Sequence, residues 1–317
     1  MSIQTATEVT RRNLDKLYRE MGPTLRKAMA DPEIVEVMLN PDGVVWVDRL
    51  GSGMSPLCEM AEAPAMQFLG TVAHMLETSI NHANPKVEGE LPGDGSRVEG
   101  LIPPIVQKPS FCLRKKASSV FPLDDYIEQD RITAHQAEVL RQAIKDRKNI
   151  LVVGGTGSGK TTFCNAMLRE IKNLTPAHRL VILEDTVELQ CTMENHLSMR
   201  TTTTLSMRDL LKITMRTRPD RIIVGEVRDG SALDLLKAWN TGHPGGLSTV
   251  HANSAKAGLL RLEQLISEVS QAKMRDLIAE AINICVFLQR DVTVGPKITE
   301  VLSVKGVMNG EYLTEPL

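Results

Sequence analysis

The chain has 317 residues, of which 42% are hydrophobic and 24% are charged, and this composition is typical of a soluble globular protein with room for two domains. The formal net charge of −2 argues against a protein whose main task is to wrap nucleic acid, because such proteins need a basic face. The five cysteines are scattered without a C-x-x-C pair, and neither a signal core nor a window of ~20 apolar residues occurs, so we expect a cytoplasmic protein without disulfides, zinc or a membrane span.

The first third of the chain has the pattern of a small α/β domain. Apolar residues recur at helical spacing from residue 14 to 29, and two strand-like runs, 36–40 and 44–47, follow around an Asn-Pro-Asp-Gly turn. A second helix is predicted to begin at Pro64 and to continue along apolar positions to residue 80. The cations on the flank of the first helix fit either a solvated face or contact with anionic lipid, since acids are interspersed among them.

Two segments near the end of this domain concentrate cations. A turn-rich loop ends at Arg97, and a strand over residues 111–116 ends in Arg114 and two lysines, so we expect an anion near both. We place the N-terminal domain at residues 1–120 and a linker at 121–132. A helix that starts at Thr133 then opens the second domain, residues 133–317.

An apolar strand at residues 149–153 runs into a complete G-x-x-x-x-G-K-[ST] motif. Its glycines let consecutive backbone N–H groups face an anion, and its lysine reaches the β- and γ-phosphates. Its threonine hydroxyl suits Mg²⁺, and the helix that follows points its positive end at the phosphates. We therefore predict that ATP or another nucleoside triphosphate binds, with Mg²⁺, at residues 154–162, hereafter the phosphate loop: Gly154, Gly155, Thr156, Gly157, Ser158, Gly159, Lys160, Thr161 and Thr162.

From residue 150 onward, apolar runs at 180–183, 221–224 and 247–250 alternate with helical patterns. This alternation indicates a mainly parallel sheet with helices on its faces. Ligands of such sheets sit at the carboxyl ends of the strands, and each of these three runs ends in polar residues.

Three carboxylates follow the first of these runs, in residues 184–188, hereafter the acid segment. Glu184, Asp185 and Glu188 are candidates to hold Mg²⁺ through its waters or to orient an attacking water. Acids at a strand end are usually solvated loop residues. A phosphate loop one strand earlier favours the functional interpretation here.

The second run leads into Gly-Glu-Val-Arg-Asp, which resembles the strand-plus-acid element of phosphate-loop NTPases. Glu226 is placed to activate the water that attacks the γ-phosphate. Gly225 stands where a metal-holding aspartate usually precedes this glutamate, so the metal role moves to the acid segment. After the third run, His251 is either a structural histidine or a donor that senses the γ-phosphate.

Taken together, the phosphate loop, the acid segment, residues 224–229 and residues 248–253 resemble the secretion ATPase superfamily of type II secretion, type IV secretion and type IV pili. A glycine at position 225 is itself usual in that superfamily. The resemblance extends into the first domain and covers nearly the whole chain. The short chain and the lack of a four-cysteine insert argue against the type II and pilus-extension branches. Within the type IV secretion branch, the chain most resembles the TrbB-type ATPases of conjugation.

This resemblance implies an α/β fold in which a smaller α/β domain precedes a RecA-like P-loop ATPase domain with a mainly parallel sheet. It implies a homo-hexameric ring, with nucleotide in the hinge between domains. Arg97 and Arg114 match segments whose arginines reach the phosphates, although solvated surface arginines remain the alternative. The implied partners are inner-membrane components of a secretion machine, with peripheral membrane contact and without sequence-specific nucleic-acid binding.

The resulting hypothesis is an Mg²⁺-dependent ATPase that powers pilus biogenesis or substrate passage during conjugation. Three alternatives remain: a PilT-like pilus retraction motor, a RecA-like motor stimulated by DNA, and a docking module that binds ATP but barely hydrolyses it. Glu226 argues against the last of these. A GTPase fits poorly because no Asn-Lys-x-Asp motif occurs.

Overall fold

The computed structural model describes residues 3–49, 52–116, 120–291 and 293–317. The chain divides into two units, residues 1–118 and 119–317. Among the described residues, no helix combines the length and the apolar character needed to cross a membrane.

The first unit is an antiparallel sheet with helices on one face. Its strands lie in the order β3-β2-β1-β6-β5-β4, and every neighbouring pair is antiparallel. Side chains alternate between the two faces, so one face joins the two helices in a core that includes Leu17, Phe68 and Leu113. The elements are α1 (Ile3–Ala30), β1 (Ile34–Leu39), β2 (Val44–Arg49), β3 (Gly53–Glu59), α2 (Glu62–Met75), β4 (Lys86–Glu90), β5 (Arg97–Leu101) and β6 (Ser110–Arg114).

The predicted helix, hairpin and second helix are all present, but α2 is shorter than expected. It ends at Met75 instead of continuing to residue 80. Glu77 adopts a positive φ of 56°, and the N–H groups of Glu77 and Thr78 donate to the carbonyls of His74 and Ala73. This pattern is a Schellman motif, which ends a helix; a glutamate at its left-handed position gives no sequence signal.

The second unit is built on a mainly parallel sheet in the order β14-β13-β12-β7-β11-β10-β8-β9. Six neighbouring strands run parallel: β12, β7, β11, β10, β8 and β9. At one edge, β13 and β14 add an antiparallel hairpin. The elements are α3 (Leu123–Glu128), α4 (Ala134–Lys145), β7 (Ile150–Gly154), α5 (Lys160–Leu174), β8 (Leu180–Glu184), β9 (His196–Arg200), α6 (Met207–Thr214), β10 (Arg221–Val224), α7 (Ala232–Asn240), β11 (Leu247–Val250), α8 (Ala255–Ser267), α9 (Arg275–Ala281), β12 (Ile284–Asp291), β13 (Gly295–Met308) and β14 (Glu311–Pro316).

Helices cover both faces of this sheet, and each face has its own core. Along β7, Leu151 and Val153 pack into one core, while Ile150 and Val152 pack into the other. Burial on both faces explains why the central strands are continuous apolar runs without alternation.

The segment predicted to be a linker, residues 121–132, is part of the packed second unit. It contains α3, whose Leu123 and Tyr126 are fully buried. The Tyr126 ring meets the edge of Phe163 on α5, with centroids 5.7 Å apart. Two apolar residues three positions apart are enough to pack this short helix against the core, although the residues between them in sequence are polar.

Candidate nucleotide site

Polar residues from four segments meet at the carboxyl edge of the second unit's sheet. The phosphate loop follows β7, the acid segment follows β8, Glu226 follows β10 and His251 follows β11. These strands are parallel neighbours in the order β7-β11-β10-β8, so their carboxyl ends lie side by side. The topology therefore brings the four motifs to one place, as the sequence predicted.

The shape of the phosphate loop depends on glycine at several positions. Gly157 and Gly159 have positive φ angles of 68° and 89°. A Cβ on Gly154 would lie 2.6 Å from the carbonyl oxygen of Leu288, and one on Gly159 would lie 2.6 Å from the Cβ of Pro296. The backbone is thus held where its amides can face an anion, and no side chain fits behind it.

Lys160 begins α5 and is almost completely buried. Its Nζ donates to the carbonyl oxygens of Gly154 and Gly155, each at 2.8 Å, and lies 3.3 Å from Nδ1 of His251. An ammonium group can only donate, so Nδ1 of His251 accepts. The imidazole hydrogen then sits on Nε2, which is 2.8 Å from Oε1 of Glu226. A neutral imidazole thus links the loop lysine to the candidate catalytic carboxylate.

The second oxygen of Glu226 accepts from Nη2 of Arg228 at 2.6 Å. Between them, Val227 is buried and its N–H donates to the carbonyl of Thr249, so the side chains of Glu226 and Arg228 share the opposite side of this segment. The carboxylate raises the pKa of the Arg228 guanidinium. Arg228 was not among the residues predicted from the sequence, although a cation two positions from an acid at the end of a strand is a detectable signal.

Glu184 is buried, with 4% of its surface exposed, and it organises the acid segment from inside. Its Oε1 accepts from the backbone N–H groups of Glu188 and Leu189, both at 2.8 Å. A Cβ on Gly225 would come within 3.0 Å of Cγ of Glu184. The Glu184 side chain on the neighbouring strand therefore crowds the position where an aspartate side chain at 225 would begin, which explains the glycine.

The other two acids of the segment point to different neighbours. Oε2 of Glu188 accepts from the Thr161 hydroxyl at 3.1 Å. Asp185 is exposed, accepts from the Thr201 hydroxyl at 3.1 Å, and lies 4.0 Å from Nη1 of Arg228. A hydroxyl and a carboxylate are oxygen ligands of the kind that Mg²⁺ prefers alongside phosphate and water, so Thr161 and Glu188 fit this ion.

In the first unit, the two predicted arginines are direct cross-strand partners. Arg97 on β5 pairs with Arg114 on β6 in the antiparallel register. Nε of Arg114 also lies 3.7 Å from Oε1 of Glu36 on β1. Both guanidinium groups therefore rise from the same row of the sheet, on the face opposite the core.

The chain matches a family model described as "Type II/IV secretion system protein" over residues 62–297. It is 49% identical over 300 residues to the "Probable conjugal transfer protein TrbB" of Sinorhizobium fredii, across 95% of this chain and 92% of the relative. Two solved structures are similar: the VirB11 ATPase of the Brucella suis type IV secretion system (TM-score 0.50, 25% identity, 93% and 96% of the two chains) and the pilus retraction motor PilT with ADP (TM-score 0.62, 20% identity, 92% and 80%). These likenesses confirm the predicted fold class, a RecA-like ATPase domain preceded by a smaller α/β domain.

Proposed function

The chain belongs to the type II/IV secretion system protein family and is an ATP-hydrolysing enzyme, and from this premise we propose that it is an Mg²⁺-dependent motor of conjugative DNA transfer. It would power pilus biogenesis or substrate translocation at the inner membrane. The name of the Sinorhizobium fredii relative supports the conjugation role, because the alignment spans nearly all of both chains.

The phosphate loop is the proposed binding site for the polyphosphate of ATP. Backbone N–H groups in the first turn of an α-helix have no intrahelical acceptor, so those at the start of α5 suit the α- and β-phosphates. Lys160 supplies the charge for the β- and γ-phosphates. Thr161 and Glu188 would hold Mg²⁺, which supplies charge neutralisation for the departing phosphate. Asp185 is a further candidate through metal-bound water, whereas Glu184 would act by fixing the backbone of the acid segment.

The observation that carries the proposal is the series of side-chain contacts from Lys160 through His251 to Glu226. It connects the group that binds phosphate with the carboxylate that would orient the attacking water. A change in what Lys160 contacts is thereby transmitted to Glu226 through one imidazole. His251 would in this way sense the γ-phosphate and report it to the catalytic carboxylate.

The paired arginines of the first unit suit the recognition of phosphate oxygens. A guanidinium group presents a planar fork of donors, and Arg97 and Arg114 present two forks side by side. We propose that both bind phosphate during hydrolysis. We also propose a homo-hexamer that associates peripherally with inner-membrane components of the conjugation machine, on the strength of the family.

Two other motors would use the same chemistry. A pilus retraction motor is supported by the fold that the chain shares with PilT. A DNA-stimulated motor is less favoured, because a net charge of −2 provides little overall attraction for nucleic acid.

The proposal is tested by measuring Mg²⁺-ATP turnover per subunit across a range of protein concentrations, with and without DNA, for the wild type and Glu226→Gln. We expect specific activity to rise as the protein assembles, DNA to have no effect, and the variant to lose at least about 100-fold in turnover. Nucleotide affinity of the variant, followed with a fluorescent ATP analogue, should stay within about threefold, because Glu226 does not belong to the phosphate loop.

Activity that does not depend on protein concentration would contradict the oligomeric motor. Turnover that survives Glu226→Gln would contradict the role of this carboxylate, and turnover that requires DNA would favour the DNA-stimulated motor. Whether the protein is a pilus retraction motor or a conjugation motor is decided in cells, by asking whether loss of the protein abolishes plasmid transfer.

A further inference from the structure

We propose that Arg228 is a positioning residue for the hydrolytic reaction: it holds Glu226 in register with His251 and ties it to Asp185 of the acid segment. This inference rests on the proposed role of Glu226.

The carboxylate of Glu226 is held from two sides. Oε1 meets Nε2 of His251 at 2.8 Å, and Oε2 meets Nη2 of Arg228 at 2.6 Å. With one oxygen fixed by each neighbour, the carboxylate cannot rotate about its terminal bond without losing a hydrogen bond. Orientation of this kind matters for a group that must aim a water molecule, since small displacements of a catalytic group cost rate more than they cost binding.

The second amino group of Arg228 faces a different carboxylate. Nη1 lies 4.0 Å from Oδ2 of Asp185, whose other oxygen accepts from the Thr201 hydroxyl. Arg228 therefore spans the segment after β10 and the segment after β8. The planar guanidinium can address both carboxylates at once, whereas a lysine ammonium would address one of them.

Exposure alone would suggest an ordinary surface ion pair, and such pairs contribute little. The chain supplies such a pair for comparison: Arg208 meets Asp234 at 2.9 Å, with 54% and 22% of the two side chains exposed. The corresponding fractions for Arg228 and Glu226 are 49% and 18%. The two pairs are similar in distance, 2.9 Å against 2.6 Å, and in exposure. A difference in turnover between variants of the two arginines therefore reports the role of the acid that each arginine contacts.

The experiment compares steady-state ATP hydrolysis of Arg228→Gln with that of the matched variant Arg208→Gln. We expect Arg228→Gln to lower kcat about tenfold, with the KM for ATP within about twofold, because the lost contact orients a reacting group and does not bind substrate. Arg208→Gln should retain the wild-type kcat. Equal behaviour of the two variants would overturn the proposal.

Two further variants test how Arg228 acts. In a Glu226→Asp background the shortened carboxylate no longer reaches Arg228, so the effect of Arg228→Gln should shrink from about tenfold to less than about twofold. An undiminished penalty would show that Arg228 does not act through Glu226. Arg228→Lys keeps the charge but not the fork, and should recover less than half of kcat; full recovery would overturn the tie to Asp185.

Failure of this inference is distinguishable from failure of the proposed function. If Glu226→Gln abolishes turnover while Arg228→Gln behaves like Arg208→Gln, the hydrolytic site stands and only the positioning role falls. If Glu226→Gln is active, both fall. Thermal melting of each variant identifies any that is misfolded, and Arg228→Lys provides the measurement if Arg228→Gln is.

Discussion

The two edges of the second unit's sheet both carry buried polar residues that bond to the main chain, but only the carboxyl edge adds a series of contacts between partly exposed side chains. At the amino edge, Arg221 donates to the carbonyls of Ile144 and Gly245 and to Nδ1 of His178. Beside it, Asn149 accepts from two backbone amides and donates to the carbonyl of Ala281. These partners belong mostly to the main chain, which fixes them.

At the carboxyl edge, the buried residues Lys160 and Glu184 also bond to main-chain groups, but Lys160 continues into a series of contacts between side chains. Lys160, His251, Glu226 and Arg228 form a chain in which every member after the lysine is partly exposed. Such groups can exchange partners without unfolding the sheet, whereas the amino-edge groups cannot. Burial of polar residues therefore does not distinguish the candidate site from the opposite edge of the sheet; the contacts among partly exposed side chains do.

A catalytic residue at the amino edge would contradict the contrast between the two edges. We expect Arg221→Leu to lower the free energy of unfolding by about 3 kcal/mol, because three acceptors, two of them buried, lose their donor at roughly 1 kcal/mol each. Turnover per folded molecule should stay unchanged. Urea unfolding measures the first quantity and active-site-normalised ATPase assays the second.

The control for that experiment is Arg169→Leu, the same change at an exposed arginine of α5. It should alter the free energy of unfolding by less than about 0.5 kcal/mol. A stable but inactive Arg221→Leu protein would mean that the amino edge takes part in function and that the contrast between the two edges is wrong.

Gly225→Ala, a change at the carboxyl edge, should affect turnover more than stability. The new Cβ would approach Cγ of Glu184 to 3.0 Å, and Glu184 cannot withdraw freely because two backbone amides hold its carboxylate. We expect turnover to fall about three- to tenfold through displacement of the acid segment, with about 1 kcal/mol lost in unfolding. Gly70→Ala, whose Cβ meets no atom within 4 Å, should leave turnover unchanged.

The smallest effect concerns pH at the amino edge. Burial, followed by the nearby charges of Arg221 and Arg147, lowers the pKa of His178 below its ordinary value of 6.5. The unfolded chain then binds more protons than the folded one, so the stability from neutral His178 is complete above pH 6.5 and is lost as pH falls towards the lowered pKa. The urea midpoint should therefore drop between pH 7 and pH 5.

His178→Gln isolates this contribution, because an amide oxygen can accept from Arg221 but does not titrate in this range. The difference in unfolding free energy between wild type and variant should shrink or reverse as the pH is lowered. A difference that stays constant from pH 7 to pH 5 would show that His178 does not titrate there.

Local patterns predicted which segments meet at the candidate site. Short segments that are recognised by their own residues can be predicted from sequence. The phosphate loop, the three central strands and the polar residues at their ends are of this kind. The parallel order of the strands then brings Glu226 and His251 together, which follows from fold class without knowledge of individual contacts.

Contacts between distant segments were not predictable in the same way. The pairing of Arg97 with Arg114 depends on strand register, and the packing of Arg221 against His178 joins residues 43 positions apart. The early end of α2 depends on a glutamate in a left-handed conformation, which sequence pattern does not favour. In the first two cases the deciding energy comes from partners that are remote in sequence, whereas the end of α2 is set by local hydrogen bonds around an unfavoured backbone conformation.

The close approach of Pro296 to Gly159 links two parts of the chain that share no motif. Pro296 belongs to the hairpin after β12, so the rear wall of the phosphate loop is supplied by the last tenth of the protein. Insertions, deletions or fusions in that hairpin are therefore expected to alter nucleotide affinity from a distance. By the same reasoning, a relative that carries a side chain at position 159 must follow a different hairpin path, and the two sites are expected to evolve as a pair.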